Sequence, residues 1–451
     1  MLSRINPPDD PARLSLTVDW RVVVFSLALT FGITLLFGLA PALRASGIKP
    51  LAALKGGDDP HSRGRLMHGL IAVQVAFCFL VLFVAGLFLG TFDRLAGQPN
   101  GFSAERLLNL ETTTQRPQPA AAWEDVAEHL RATPGVERVA LTIWPMMSGE
   151  ASGGSVALPG AAPSALPVDF LNVSPGWVET MKIPLLGGRE FRGEDAAPGV
   201  ALVNRAFAKQ LFGGVDPVGK WFERAGTQRV RVQIVGLVAD ARSRDNVRAP
   251  VRPTVYLPFR VTDAAGAPQP RSRATFVVRT IGPDSLALAG ALRDTVAHTR
   301  PGFHLNSLRT QTEISQAHLL RERLLALLAA FFSVVALALA GVGLYGVLDY
   351  SVQHRTREIG IRMAIGARGG DIARSVTGSV SAAVTCGAVA GAGLGVAAAR
   401  SVESLLFGVR IADPRLLLAP AACILAVALV AALRPVLRAV RVDPANTLRA
   451  E

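Results

Sequence analysis

Two glycine-rich segments have spacings that are used elsewhere for nucleotide binding. Residues 214–220 (GVDPVGK) fit the first seven positions of a phosphate-binding P-loop. The eighth position, which should be Ser or Thr to hold magnesium, is Trp221, and Pro217 lacks a backbone N–H that the loop would use. Residues 341–346 (GVGLYG) fit GxGxxG but lie inside an apolar run. We interpret the first segment as a structural turn and the second as a helix-packing surface.

The other residues capable of chemistry are scattered. The sequence has no HExxH or GxSxG motif, and its seven histidines form no cluster with metal-ligand spacing. Cys78, Cys386 and Cys423 each lie in an apolar run without a CxxC pair, so we predict buried free thiols. We therefore expect a protein that is not an enzyme, with no catalytic residues, metal or cofactor.

The elements that position these residues are long apolar helices. Hydrophobic residues form 50% of the chain, and five uncharged runs are each long enough to cross a bilayer. They are residues 22–43, 66–92, 324–348, 375–399 and 416–433. We predict a multi-pass α-helical membrane protein with five transmembrane helices and a large α/β extracytoplasmic domain. The net charge of +13 comes from basic residues that bracket these runs, so we expect no nucleic-acid partner.

The distribution of Lys and Arg predicts an orientation. Residues 44–65 hold five of them, as does the segment from 355 to 374, whereas residues 1–21 and 400–415 hold three each. This bias favours a cytoplasmic position for 44–65, 351–371 and the C-terminus. The predicted order is an extracytoplasmic N-terminal segment (1–20), helix 21–43, a cytoplasmic linker (44–65), helix 66–92, the outside domain (93–322) and a C-terminal membrane unit (323–451). That unit has helices 323–348, 372–399 and 415–434, a cytoplasmic loop (351–371) and a cytoplasmic tail (435–451).

Some segments of the outside domain alternate apolar and polar residues as strands do, and other segments have apolar residues at helical spacing. Residues 229–238 and 274–280 alternate as strands do, and apolar residues from Trp123 to Leu130 and from Leu288 to Val296 have one-face helical spacing. Asp284 or Ser285 is the expected cap of the second helix. Residues 149–167, rich in Gly, Ala, Ser and Pro, are predicted to form a mobile loop.

Two further patterns concern the membrane helices. Residues 41–45 (PALRA) recur as 435–439 (PVLRA), and the same offset pairs polar residues on both sides, so the first helix is predicted to copy the last. Gly387, Gly391 and Gly395 recur every four residues and allow close helix contact, either within one bundle or between subunits.

The segment 351–371 is unusual for a connection between two apolar runs. It carries four arginines with isoleucines and a methionine between them. A helix here would place Ile361 and Ile365 one turn apart, with Glu358 four residues before Arg362 in the favourable order for an ion pair. We interpret it as a docking element for a partner on that side of the membrane.

The order of helix, outside domain and three helices, with TREIGIRMAIGA at 356–367, resembles the MacB/FtsX-type permeases of ABC transporters. The outside domain is similar to the MacB-like periplasmic core at 173–175, 186–191, 216–220 and 235–240. The first helix resembles part of the duplicated orphan permeases of acidobacterial type. Those proteins contain two permease units, and this chain lacks most of the first unit.

The resemblance implies a non-catalytic permease subunit in the bacterial plasma (inner) membrane. It implies a second permease unit, as a homodimer or pseudodimer, and a separate cytoplasmic ATPase whose ATP-driven motion reaches the outside domain for efflux or export. The alternative is an envelope regulator that activates a periplasmic or cell-wall enzyme. The implied ATPase-docking residues are Thr356, Arg357, Glu358, Ile359, Gly360, Ile361, Arg362, Met363, Ile365 and Gly366.

Overall fold

The structure, a computed structural model, describes residues 20–34, 60–161, 164, 167–224, 229–263, 265–401, 403–409 and 413–441. The chain divides into two units, Met1–Leu70 and Ile71–Glu451. The first contains helix α1 and the opening turns of α2. Residues 35–43 of the first predicted membrane helix, and most residues of the predicted repeat, lie outside the described residues.

The larger unit is a bundle of long helices with a sheet domain (residues 107–317) inserted between the first two of them. Across both units, the α-helices of the described residues are α1 (Trp20–Thr34), α2 (Pro60–Ala96), α3 (Ala120–Arg131), α4 (Trp177–Thr180), α5 (Arg205–Phe212), α6 (Ala289–Thr299), α7 (Gln311–Ala317), α8 (Leu320–His354), α9 (Thr356–Ala364), α10 (Gly369–Ser401) and α11 (Pro414–Val440). Helix α1 lies in the first unit, and the sheet domain lies between α2 and α8. The strands are β1 (Leu107–Gln118), β2 (Val136–Thr142), β3 (Ser152–Gly154), β4 (Val156–Ala157), β5 (Val168–Val173), β6 (Leu185–Gly188), β7 (Val200–Asn204), β8 (Trp221–Arg224), β9 (Val230–Val238), β10 (Thr254–Pro258), β11 (Arg271–Thr280) and β12 (Phe303–Thr310).

Four helices of the described residues are long and apolar enough to cross a membrane: Met67–Ala96 of α2, α8, α10 and α11. Together with the α/β sheet domain they confirm the predicted class of membrane protein, although not the count of five helices, because the first is described only over Trp20–Thr34. Helices α8 and α11 continue past the predicted runs, to His354 and Val440. The first residues of the predicted tail are therefore helical.

The membrane helices pack through small residues. A Cβ atom added to Gly387 would lie 2.5 Å from the carbonyl oxygen of Ala72, and one on Gly391 would lie 2.6 Å from that of Ala76. The glycine row is thus used for contact between α10 and α2 within this chain. Gln74 donates from Nε2 to the carbonyl oxygen of Leu339 at 2.8 Å.

Strand order in the sheet is β12-β1-β11-β2-β5-β10-β7-β9-β8-β4, with β3 paired to β5 and β6 paired to β9. One half, from β12 to β2, is antiparallel, and α3 and α6 cover it with an apolar core that includes Trp123 and Leu292. The other half contains the parallel pairs β5–β10 and β7–β9, and Phe207 of α5 packs into its core. The predicted strands at 229–238 and 274–280 and the helix around Trp123 are confirmed. Asp284 caps the 3₁₀ turn Ser285–Leu288 that precedes α6.

Two predictions about local structure were wrong. Residues 149–167 are not simply a loop, because they contain β3 and β4. Glycine allows this: a Cβ on Gly154 would lie only 3.0 Å from the ring of Phe170 in β5. Cys78 is buried as predicted, but Cys386 and Cys423 are exposed on the chain. An apolar run in a membrane helix does not require burial inside the protein, since lipid tails are as apolar as the core.

Candidate functional site

The first glycine-rich segment forms a turn, and the second lies within α8, where a Cβ on Gly343 would lie 2.6 Å from Oε1 of Gln74 in α2. In the turn at 214–220, the N–H of Gly219 donates to the carbonyl oxygen of Ile234 at 2.8 Å, and the N–H of Val218 donates to Oδ1 of Asp216 at 3.0 Å. Nζ of Lys220 lies 5.2 Å from the ring centre of Phe212. The backbone N–H groups of Val218 and Gly219 are therefore already paired within the protein. Across the described residues, no three or more His, Cys, Asp or Glu side chains are placed to hold a metal ion.

The predicted loop at 351–371 contains helix α9, which lies between the end of α8 and the start of α10. Helix α8 begins at Leu320, just after the sheet domain, so α9 lies at the other end of α8 from that domain. The hydroxyl of Thr356 donates to the carbonyl oxygen of Val352 in α8 at 2.9 Å. Nη1 of Arg362 donates to Oγ of Ser375 in α10 at 3.3 Å. These contacts fix α9 to both membrane helices.

Helix α9 has two faces. Ile359 and Gly360 are buried, and the half-buried Met363 packs against the core of the membrane bundle. The opposite face exposes two large apolar side chains, with exposures of 42% for Ile361 and 81% for Ile365. The exposed polar residues beside them are Arg357, Glu358 and Arg362. Large apolar side chains that are exposed beside charged residues form a surface suited to contact with another molecule.

A glycine-dependent turn ends α9. Gly366 has φ +98°, its N–H donates to the carbonyl oxygen of Met363, and the N–H of Ala367 donates to that of Arg362. This is a Schellman motif, which satisfies the last carbonyl groups of a helix and requires a residue that tolerates positive φ. Gly366 therefore defines where α9 stops and how Ile365 is presented.

The ion pair predicted from the spacing of Glu358 and Arg362 is present on the exposed face of α9. Both side chains are about half exposed, so the pair contributes little stability and mainly orients the two groups. They also line a cleft of about 80 Å³ between α9 and the ends of α8 and α10, together with Arg355, Asp371 and Ser375. Charged groups of both signs therefore line this cleft.

A second ion pair beside α9 was not predicted. Oδ1 of Asp349, near the end of α8, lies 2.6 Å from Nη1 of Arg438 in α11, and Nε2 of Gln353 donates to the other oxygen of Asp349 at 2.7 Å. The pair fastens α11 to the helix that carries α9. The signal in the sequence was a lone acidic residue at the end of an apolar run.

The opposite ends of the membrane helices contact the sheet domain. Nη2 of Arg248, in the connection between β9 and β10, donates to Oε1 of Glu322 at 3.1 Å and to the carbonyl oxygen of Leu405 at 3.0 Å. Val247 belongs to a small apolar cluster that includes Leu95 of α2 and Phe407. One connection of the sheet domain therefore contacts α2, α8 and the link between α10 and α11.

A buried arginine fastens the chain that follows α2. Arg279 of β11 donates from its three nitrogens to the carbonyl oxygens of Thr180, Glu105 and Ser103 at 2.6, 2.9 and 3.0 Å. Its side chain is fully buried, and burial lowers the pKa of the guanidinium. Three carbonyl acceptors satisfy its donors and hold residues 103–105 against the sheet.

Comparison with known families assigns both parts of the chain. Residues 330–444 match the FtsX-like permease C-terminal family, and residues 70–295 match the MacB-like periplasmic core domain. Among solved structures, the periplasmic region of MacB from Actinobacillus actinomycetemcomitans aligns with 49% of this chain and 96% of its own, at 14% identity and a TM-score of 0.33.

Curated relatives share a quarter or more of their aligned residues. The macrolide export ATP-binding/permease protein MacB of Rhodospirillum rubrum is 28% identical over 61% of this chain and 42% of its own length. The pyoverdine export ATP-binding/permease protein PvdT of Pseudomonas aeruginosa is 27% identical over 60% of this chain and 41% of its own. The chain thus spans about two fifths of the length of these relatives. On the two domain matches, it belongs to the MacB/FtsX-type permeases of ABC transporters.

Proposed function

We propose that this chain is a non-catalytic permease subunit that passes ATP-driven motion from a separate cytoplasmic ATPase to its sheet domain during export. The observation that carries the proposal is the exposure of Ile361 and Ile365 on α9. Exposed apolar residues rimmed by charge are typical of protein interaction sites. The docking residues are those of α9 and its end, from Thr356 to Gly366.

The attachment of α9 suits a site that receives force. Ile359 anchors its inner face in the bundle core, Thr356 bonds to α8, and Arg362 bonds to α10. A partner that moves α9 would therefore move the ends of both helices together. Rigid-body displacement of packed helices is an established way to couple distant sites.

Helix α8 provides a continuous path to the sheet domain. It has 35 residues, which corresponds to roughly 50 Å at the rise of an α-helix. Its far end carries Glu322, which contacts Arg248 of the sheet domain. Motion received at His354 can reach the sheet domain without crossing a break in this helix.

The partners follow from the family and from the exposed surfaces. The matched families are an FtsX-like permease domain and a MacB-like periplasmic core domain, so we assign ATP hydrolysis to a separate subunit on the cytoplasmic side of a bacterial inner membrane. Helix α8 exposes a row of large apolar side chains, which require lipid or a second permease unit, as a homodimer or pseudodimer. They are Leu324, Leu327, Leu328, Phe331, Phe332, Val334 and Val342. Relatives named for macrolide and pyoverdine export favour export over the regulatory alternative.

The test is co-purification with candidate ABC ATPase subunits supplied in trans. Ile365→Asp places a charge at the centre of the proposed contact and should abolish co-purification and ATPase stimulation. Ile281→Asp is a matched control, because Ile281 is 62% exposed but lies in the sheet domain. Equal recovery of the ATPase with Ile365→Asp and with the unchanged chain would refute docking at α9.

A further inference from the structure

The connection between β9 and β10 forms a polar pocket of about 280 Å³. The lining includes three arginines, Arg242, Arg244 and Arg252, and we call it the arginine pocket. Val247 and Arg248, from the same connection, contact the ends of α2 and α8, as described above. The pocket therefore lies beside the ends of α2 and α8 that adjoin the sheet domain.

Positive charge exceeds negative charge in this pocket. Arg244 holds Asp169 through Nε and Nη2, at distances between 2.6 and 3.0 Å. Nη1 of Arg252 lies 3.6 Å from the same carboxylate, so two guanidinium groups share it. Asp245 is the acidic residue of the lining, and Arg248 is already paired with Glu322. One carboxylate between two guanidinium groups leaves capacity for another anion.

Arg242 provides the second observation. Its Nη1 donates to the carbonyl oxygen of Ala249 at 2.7 Å and its Nη2 to Oε1 of Gln98 at 2.5 Å, and both acceptors are neutral. Its Nε is buried and has no hydrogen-bond acceptor among the described residues. Burial lowers the pKa of this guanidinium, which is the expected result of removing a cation from water without a counter-ion. An anion in the pocket would supply the missing charge.

We propose that the arginine pocket binds a phosphate group, supplied by the headgroup of an anionic phospholipid in the outer leaflet. Guanidinium forks match the oxygens of a phosphate, and basic pockets at the ends of membrane helices suit anionic headgroups. Arg94, Arg321 and Arg323 add positive charge at the neighbouring ends of α2 and α8. A bound headgroup would tie the sheet domain to the membrane surface, independently of docking at α9.

The test is native mass spectrometry of the detergent-purified chain with phosphatidylglycerol or phosphatidylcholine added. Phosphatidylglycerol should bind more tightly than phosphatidylcholine. Arg252→Gln should weaken the binding of phosphatidylglycerol about tenfold, because it removes one charge-assisted hydrogen bond. Arg252→Lys should recover part of the loss. Arg260→Gln is the matched control, because Arg260 has the same 39% side-chain exposure and pairs with Glu124 at 3.3 Å.

Two further arms complete the experiment. Asp169→Asn frees both guanidinium groups and should strengthen lipid binding. This effect is opposite to that expected of Arg252→Gln, and a general loss of folding cannot produce stronger binding. Inorganic phosphate should compete with the lipid, and if it binds while phosphatidylglycerol does not, the source is free phosphate. The proposal would be overturned if the chain bound the two lipids equally and phosphate had no effect. It would also be overturned if Arg252→Gln and Arg260→Gln bound phosphatidylglycerol equally and phosphate had no effect.

Discussion

Arg248 and Glu322 join the sheet domain to a membrane helix, with Nη2 of the arginine 3.1 Å from Oε1 of the glutamate. The same nitrogen donates to the carbonyl oxygen of Leu405, so one guanidinium contacts the start of α8 and the link between α10 and α11. Glu322 is mostly buried and Arg248 is one-third exposed, which makes this contact stronger than a fully solvated pair. It lies at the opposite end of α8 from the proposed docking helix α9.

Breaking this contact should weaken the attachment of the sheet domain to the membrane helices. Arg248→Ala removes both bonds and leaves the carboxylate of Glu322 without its partner, at a cost of about 2 kcal/mol. We expect faster amide hydrogen exchange in residues 242–252, with recovery of the ATPase unchanged. Arg300→Ala is the control, because Arg300 pairs with Asp125 at 2.9 Å within the sheet domain. Unaltered amide hydrogen exchange in Arg248→Ala would mean that other contacts attach the sheet domain to the membrane helices.

The ion pair on α9 should matter for docking and not for insertion. Replacing both Glu358 and Arg362 with alanine removes charges from the exposed face and frees Ser375, but leaves Ile359 buried. We expect normal membrane insertion with loss of ATPase stimulation. The matched control replaces Arg138 and Glu179, an exposed pair of the sheet domain, with alanine. If stimulation survives in the α9 variant, docking through its charged face is contradicted.

The glycine row of α10 provides a packing test with an internal control. A Cβ on Gly391 would lie 2.6 Å from the carbonyl oxygen of Ala76 and 2.7 Å from Cβ of Phe79, whereas one on Gly393 would have no described atom within 4 Å. Gly391→Ala should destabilise the bundle by about 1–3 kcal/mol through overpacking. Gly393→Ala should leave the thermal unfolding temperature in detergent unchanged or slightly higher. A similar unfolding temperature for both variants would argue against the α2–α10 contact.

The proposed orientation can be tested by cysteine labelling in intact cells. In a chain with Cys386 and Cys423 replaced by serine, Arg368→Cys should be shielded from a reagent that cannot cross the membrane, and Glu194→Cys should be labelled. Glu194 is preferred to its neighbour Asp195, whose side chain is only 9% exposed because it pairs with Arg189. Labelling of Arg368→Cys with shielding of Glu194→Cys would reverse the orientation.

Local sequence patterns were sufficient for much of this protein. Lengths of apolar runs predicted the membrane helices, and alternation over 229–238 predicted β9, because a transmembrane helix or a strand is determined by consecutive residues. The spacing of Glu358 and Arg362 predicted their pairing, since four residues complete one helical turn. The sequence of α9 also identified the family before any fold was known.

Contacts between distant residues needed the folded chain. Arg248 and Glu322 are 74 residues apart and Asp349 and Arg438 are 89 apart, so no spacing rule relates them. The glycine row of α10 likewise packs against α2, which is separated from it in sequence by the sheet domain. The exposure of Cys386 and Cys423 depends on which helix faces are covered in the folded chain. Composition shows that a residue suits a contact, but its partner depends on how the long-range packing of helices and sheet brings the two together.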